Sequence, residues 1–170
     1  MILNKYYLKK TATSFWLSVV LLVQIVVFTG DTVYAADRIK VVVLGDSLTA
    51  GYGLKKQDAF PFKLAAALKS SGRSVQVINA GVSGDTSAGG RSRLSWALTD
   101  NPQLVIIELG ANDGLRGLDP SETKANLNAI LNDLKKRKIK VLLTGMLAPP
   151  NLGKEYGQEF GQLFPELAKT

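Results

Sequence analysis

Neither histidine nor cysteine occurs among the 170 residues. Without cysteine there are no disulfides, no thiolate zinc sites and no thiol nucleophile. Without histidine the chain lacks the commonest general base, and the usual transition-metal sites are unsupported. Acidic residues are also scarce, 14 against 21 Lys+Arg, for a formal net charge of +7. No internal repeat and no low-complexity segment is present. A chain of this length makes one domain with a proper core and is too short for two comfortable ones.

What is present begins with a leader-like segment. Lys5, Lys9 and Lys10 precede an apolar run over residues 15–28, and Val33-Tyr34-Ala35-Ala36 follows a short polar stretch. Basic start, apolar middle and small residue at the cut are the pattern of a secretory signal peptide. Cleavage after Ala35 is expected, with Val33 at the −3 position. That gives a signal peptide over 1–35, a domain over 36–170, and a periplasmic or secreted location. The competing reading is an uncleaved anchor, but a helix over residues 15–28 reaches only about 21 Å, short of the roughly 30 Å hydrocarbon core. Residues 1–35 hold three of the basic and one of the acidic residues, which leaves 18 against 13 from Ala36 onward. This balance permits attraction to anionic lipid or nucleic acid without arguing for either.

Beyond Ala36, β-type and helical patterns alternate. Strands are predicted at Ile39 to Leu44, at Val75 to Asn79, at Leu104 to Leu109 and at Ile139 to Thr144, each short, apolar and rich in β-branched residues. Between them lie predicted helices over Ala59 to Ser70, around Leu94 to Leu98, and from Asp119-Pro120 through Leu134. A last helix runs from Glu155 to Lys169. Pro61 suits a first helical turn, Gly72 a C-terminal cap, and Asp119 an N-cap with Glu122 three residues on. Strands apolar on both faces imply a parallel sheet covered on both sides, with right-handed crossovers. The run Lys135-Lys136-Arg137-Lys138-Ile139-Lys140 reads either as solvated cations at a helix C-terminus or as a lipid-surface contact.

In such a sheet the loops after the strands collect at one edge, where ligands bind. Three of these loops carry polar residues: Gly45-Asp46-Ser47, Asn79 to Thr86, and Gly110-Ala111-Asn112-Asp113-Gly114. Each alone is ordinary turn chemistry, and Asp85 or Thr86 could simply cap a helix. Together they supply what acyl transfer needs. Ser47 can attack a carbonyl, and its backbone N–H sits near a helix N-terminus. Gly84 lets a backbone N–H approach a substrate closely, and the Asn112 side chain is a further donor. One oxyanion donor is typically worth about 3–4 kcal/mol.

These blocks resemble the SGNH (GDSL-type) hydrolases: Gly45-Asp46-Ser47-Leu48, Gly84, and Gly110-Ala111-Asn112-Asp113. Ser83 to Ser87 and Glu108 to Gly117 are similar to the branch of secreted bacterial thioesterase/lysophospholipase/arylesterase enzymes. The resemblance implies a three-layer α/β/α sandwich of flavodoxin-like type with sheet order 2-1-3-4-5. It implies Ser47 as catalytic nucleophile, and Ser47 N–H, Gly84 N–H and the Asn112 side chain as the oxyanion hole. It further implies a small acyl-ester substrate, no metal or organic cofactor, no nucleic acid, and a monomer when complete. The apolar loop Met146 to Leu152 either lines an acyl site or packs on its own domain.

The family's Asp-x-x-His block is missing from this sequence. The expectation is a chain truncated at its C-terminus, without the fifth strand and closing helix, and nearly inert as an esterase. Two alternatives are a phosphate-binding flavodoxin-like protein, which lacks the expected glycine motifs, and a ligand-binding relic that kept its pocket. If the hydrolase reading holds, these 170 residues turn over a short p-nitrophenyl ester about 10⁴–10⁶-fold more slowly than a family member that carries the histidine. Comparable rates in a stopped-time assay would contradict this.

Overall fold

Four strands alternate with seven helices in the computed structural model, which describes residues 38–169. The expected signal peptide lies outside the described residues. The strands are β1 (Ile39–Gly45), β2 (Val75–Gly81), β3 (Leu104–Glu108) and β4 (Lys140–Leu143). The helices are α1 (Ser47–Ala50), α2 (Phe60–Ser70), α3 (Ser87–Ser92), α4 (Leu94–Ala97), α5 (Ala111–Leu115), α6 (Pro120–Lys136) and α7 (Lys154–Leu167). All pairings are parallel and the order is β2-β1-β3-β4, as expected for the first four strands.

The period of two along β1 divides the core between two layers. Val41 and Val43 join Ile106 and face Leu64 of α2. Val42 and Leu44 join Val105 and Ile107 on the opposite face, packed with Leu127, Ile130 and Leu134 of α6 and with Phe160, Leu163, Phe164 and Leu167 of α7. Phe160 is fully buried, edge-on to Phe164 at 5.7 Å between ring centroids. Burial of one such ring contributes about 1.5–3 kcal/mol. Helix α6 starts as its sequence predicts: Asp119 accepts from Ser121 N–H at 2.8 Å and Pro120 fills the first position.

Four expectations need correction. The segment Gly110 to Gly117 is not all loop: Ala111–Leu115 forms α5, capped in front by Gly110 at φ +116°. The helix around Leu94 begins earlier, at Ser87, and breaks at Arg93 into two short pieces. The helical period over Ala59 to Ser70 predicts an inner stripe of Phe62, Leu64, Ala65, Ala66 and Leu68, but Phe62 and Ala66 are exposed and only Leu64, Ala65 and Leu68 are partly covered. Complete covering on both sheet faces holds for β1 and β3 alone. In β4, Val141 and Leu143 pack toward α6 and α7, whereas Lys140 and Leu142 are exposed on the α2 side.

Among the described residues β4 is hydrogen-bonded to β3 on one side and to no strand on the other. Beside it an open groove of about 450 Å³ is lined by Leu131, Ile139, Val141, Leu143 and Leu167. An open edge flanked by apolar surface favours pairing with other chains. Leu142→Lys places a charge on that edge, and it is expected to lower light scattering at high protein concentration without shifting the urea midpoint. Unchanged scattering would show that association uses another surface.

Candidate active site

Gly45 ends β1, and the chain turns at once into α1, whose first residue is Ser47. Asp46 caps this single turn by accepting from Leu48 N–H at 3.0 Å. Gly45 is obligatory here: a Cβ would lie 2.7 Å from Glu108 Oε2 and would overlap Thr49 Oγ1. The turn is thus pressed against β3, and Ser47 is left half-buried at the sheet edge. Its hydroxyl has no hydrogen-bond partner among the described residues. At four residues α1 is too short for a macrodipole of consequence, so any donor effect at Ser47 is that of its own N–H rather than of a helix end.

The three polar loops converge on Asn112. Its Nδ2 donates to Asp46 Oδ2 at 3.1 Å and to the Asp85 carbonyl at 2.8 Å. One amide therefore links the residue before Ser47 to the residue after Gly84. Both Nδ2 hydrogens are engaged, so donation to a bound oxyanion requires exchange of one of these bonds. Gly84 sits at φ +86° on the surface, and its carbonyl accepts from Arg116 at 2.9 Å. A Cβ there would meet nothing closer than Arg116 at 3.9 Å. Within the chain itself the left-handed backbone, not lack of room, is what calls for glycine here. Thr86, not Asp85, caps α3.

Asp85 has another partner, which sequence reading missed. Arg93 Nε donates to Asp85 Oδ2, while its two terminal nitrogens donate to the Ala80 carbonyl at 2.7 Å and the Gly45 carbonyl at 2.9 Å. Those carbonyls lie at the ends of β2 and β1, where the ladder runs out. Arg93 is at the break between α3 and α4, and no motif marked it; only the fold brings it to this edge. Asp113, also unassigned from sequence, is buried and receives Ser87 N–H at 2.7 Å, the Ser87 hydroxyl, and Thr123 Oγ1 at 3.2 Å. It fastens α5 to α3 and α6.

The site is rich in buried carboxylates. Asp46 is fully buried, and burial pushes its carboxyl above the usual range. The Leu48 and Asn112 donors oppose that rise, and the charges of Asp85 and Asp113 add to it. Among the described residues no cluster of three or more acidic side chains is placed to hold a metal ion. The loop after β4 touches this region where Ala148 approaches Gly114, while Leu147 stands 83 % exposed. Arg93→Met removes three hydrogen bonds, leaving Asp85 without its cation and two strand-end carbonyls each short of a side-chain donor. It is expected to cost about 2–4 kcal/mol in urea unfolding. A loss below about 0.5 kcal/mol would mean that water replaces the guanidinium at little cost.

Residues 43–170 match the GDSL-like Lipase/Acylhydrolase family. An arylesterase of Vibrio mimicus is 43% identical over 131 residues, covering 76% of this chain and 66% of that protein. The thioesterase 1/protease 1/lysophospholipase L1 of Escherichia coli K12 is 41% identical over 136 residues, covering 79% and 63% respectively. This chain therefore spans less than two thirds of the length of these relatives. Among solved structures, AlinE4, an SGNH-hydrolase family esterase, superposes with a TM-score of 0.76 at 51% identity over 78% of this chain and 72% of that one. With the family model matching residues 43–170 and sequence identity spread across the described fold, the chain belongs to the GDSL-like lipase/acylhydrolase family.

Proposed function

We propose that this chain carries the nucleophile and oxyanion donors of a serine ester hydrolase acting on acyl esters or thioesters. Ser47 Oγ attacks the substrate carbonyl, the C=O electron pair moves to oxygen, and the Ser47 N–H, Gly84 N–H and Asn112 amide stabilise that oxyanion. Collapse releases the alcohol or thiol with a proton, and water then hydrolyses the acyl-serine. The observation that carries this reading is the pair of hydrogen bonds from Asn112 to Asp46 and to the Asp85 carbonyl, which ties the Ser47 turn to the Gly84 loop. The Gly84 N–H has no acceptor among the described residues and is free to donate.

With no histidine in the chain, the Ser47 proton passes to water or hydroxide when these residues act alone, and turnover is slow. The relatives named arylesterase and thioesterase/lysophospholipase support acyl esters and thioesters as the substrate class. The leader-like sequence over 1–35 supports action outside the cytoplasm.

A fluorophosphonate probe tests the reading without requiring turnover. Wild-type protein is expected to take up one label, mapped to Ser47 by peptide mass spectrometry, and Ser47→Ala none. Asn112→Ala is expected to slow labelling by about a hundredfold, the scale of one oxyanion donor. Label on another serine, or equal labelling of Ser47→Ala, would sink the assignment.

A further inference from the structure

We propose that Glu108 is a positioning residue for the Ser47 turn: its buried carboxyl holds Thr49, and through Thr49 holds α1 against β3. This rests on the reading of Ser47 as nucleophile.

Glu108 is the last residue of β3 and lies beside Gly45 in the parallel register. It is 9% exposed, among the few buried charged residues of the chain. Thr49 Oγ1 donates to Glu108 Oε2 at 2.8 Å, and Thr49 is fully buried. Thr49 is two residues after Ser47, on the same single helical turn. Its carbonyl receives Asn79 Nδ2 at 3.0 Å from the end of β2, so the turn is held from both neighbouring strands. The absence of a side chain at Gly45 leaves the space that the Glu108 carboxyl and the Thr49 hydroxyl fill. A glutamate here is otherwise costly, because an apolar residue would suit the end of a buried strand better.

The second carboxyl oxygen bears on how readily the group ionises. Glu108 Oε1 is the one buried side-chain polar atom among the described residues with no hydrogen-bond partner. A bare charged oxygen in that position is far more costly than a bare neutral one. Burial pushes the Glu108 carboxyl above its usual range and the charge of Asp46 adds to it, while the Thr49 hydroxyl and the Asp46 and Thr49 backbone N–H groups oppose it. The other charged groups at this edge are already engaged. Arg93 is bound to Asp85 and to the Gly45 and Ala80 carbonyls, and Asp113 to Ser87 and Thr123. Burial therefore favours the neutral form of Glu108 more than in a free glutamate. Because its folded-state affinity for a proton is raised, its stabilising effect is complete below the ordinary glutamate range. The effect is lost as pH rises through the raised value.

Amide NMR of the 170-residue protein across the acid to alkaline range tests this. Ser47, Leu48 and Thr49 amides are expected to share a titration midpoint above the ordinary carboxylate value. Glu108→Gln, which keeps an acceptor for Thr49 and cannot ionise, is expected to abolish it. Thr49→Val is expected to uncouple Ser47 from that midpoint, and Thr49→Ser to restore it. Persistence of the midpoint in Glu108→Gln would assign the titration to Asp46 and overturn the proposal, as would a Ser47 response unaffected in Thr49→Val. Fluorophosphonate labelling of Ser47 is expected to fall by roughly tenfold to a hundredfold in Glu108→Leu, as for a displaced nucleophile, and to be near wild type in Glu108→Gln. Absence of labelling in the wild type would count against the hydrolase reading alone, since the amide titration still decides the role of Glu108.

Discussion

The guanidinium of Arg93 closes the carboxyl edge of the sheet. At the ends of β1 and β2 the Gly45 and Ala80 carbonyls both accept from this one side chain, Gly45 accepting from the Val82 N–H as well. The third bond of Arg93, to Asp85, fixes the loop that holds Gly84. The Asp85 carbonyl then orients Asn112, and Asn112 in turn holds Asp46, which caps the Ser47 turn. The chain of contacts runs from one cation through three loops to the serine. An arginine suits this task because its planar fork presents several donors in fixed directions.

That edge concentrates negative charge in little space. Asp46, Glu108 and Asp113 are buried, and Asp85 is nearly so. Three of the four are satisfied by donors: Asp46 by Leu48 and Asn112, Asp85 by Arg93, Asp113 by Ser87 and Thr123. Glu108 alone keeps a fully buried oxygen with no partner among the described residues. Local stability has been given up at this edge for the sake of orientation, which is where strained or imperfectly satisfied groups concentrate in functional proteins. The opposite side of the sheet order, at β4, is loosely covered for a different reason: no strand lies beyond it among the described residues, so its apolar face borders an open groove.

Much of the fold was legible from local signals. The all-apolar runs at Val41 to Leu44 and Val105 to Ile107 could only be central strands. The stripe Leu127, Ile130 and Leu134 could only be the inner face of a helix, and all of these residues are buried. Helix boundaries within the polar loops were not legible. Asn112 and Asp113 look like turn residues, and they became helical because Gly110 supplies a left-handed cap and Asp113 finds buried partners. Trp96 and Phe62 fall among the apolar residues of their helical patterns, yet both are exposed, since the core positions beside them are taken by Leu94, Ala97 and Leu64.

The sequence by itself determined the alternation of strands and helices, the position of Ser47 just past a buried strand, and the candidacy of Gly84 and Asn112, because each depends on residues close together in the chain. It also determined that none of these 170 residues is a histidine. Only the tertiary structure decided that Arg93 and Asp113 organise the edge, that both hydrogens of the Asn112 amide are already engaged, and that Glu108 reaches Thr49 across 59 residues of chain. Those are contacts between distant segments. Their partners are ordinary polar residues when read in line, and they acquire meaning only when the parallel register sets Gly45 beside Glu108.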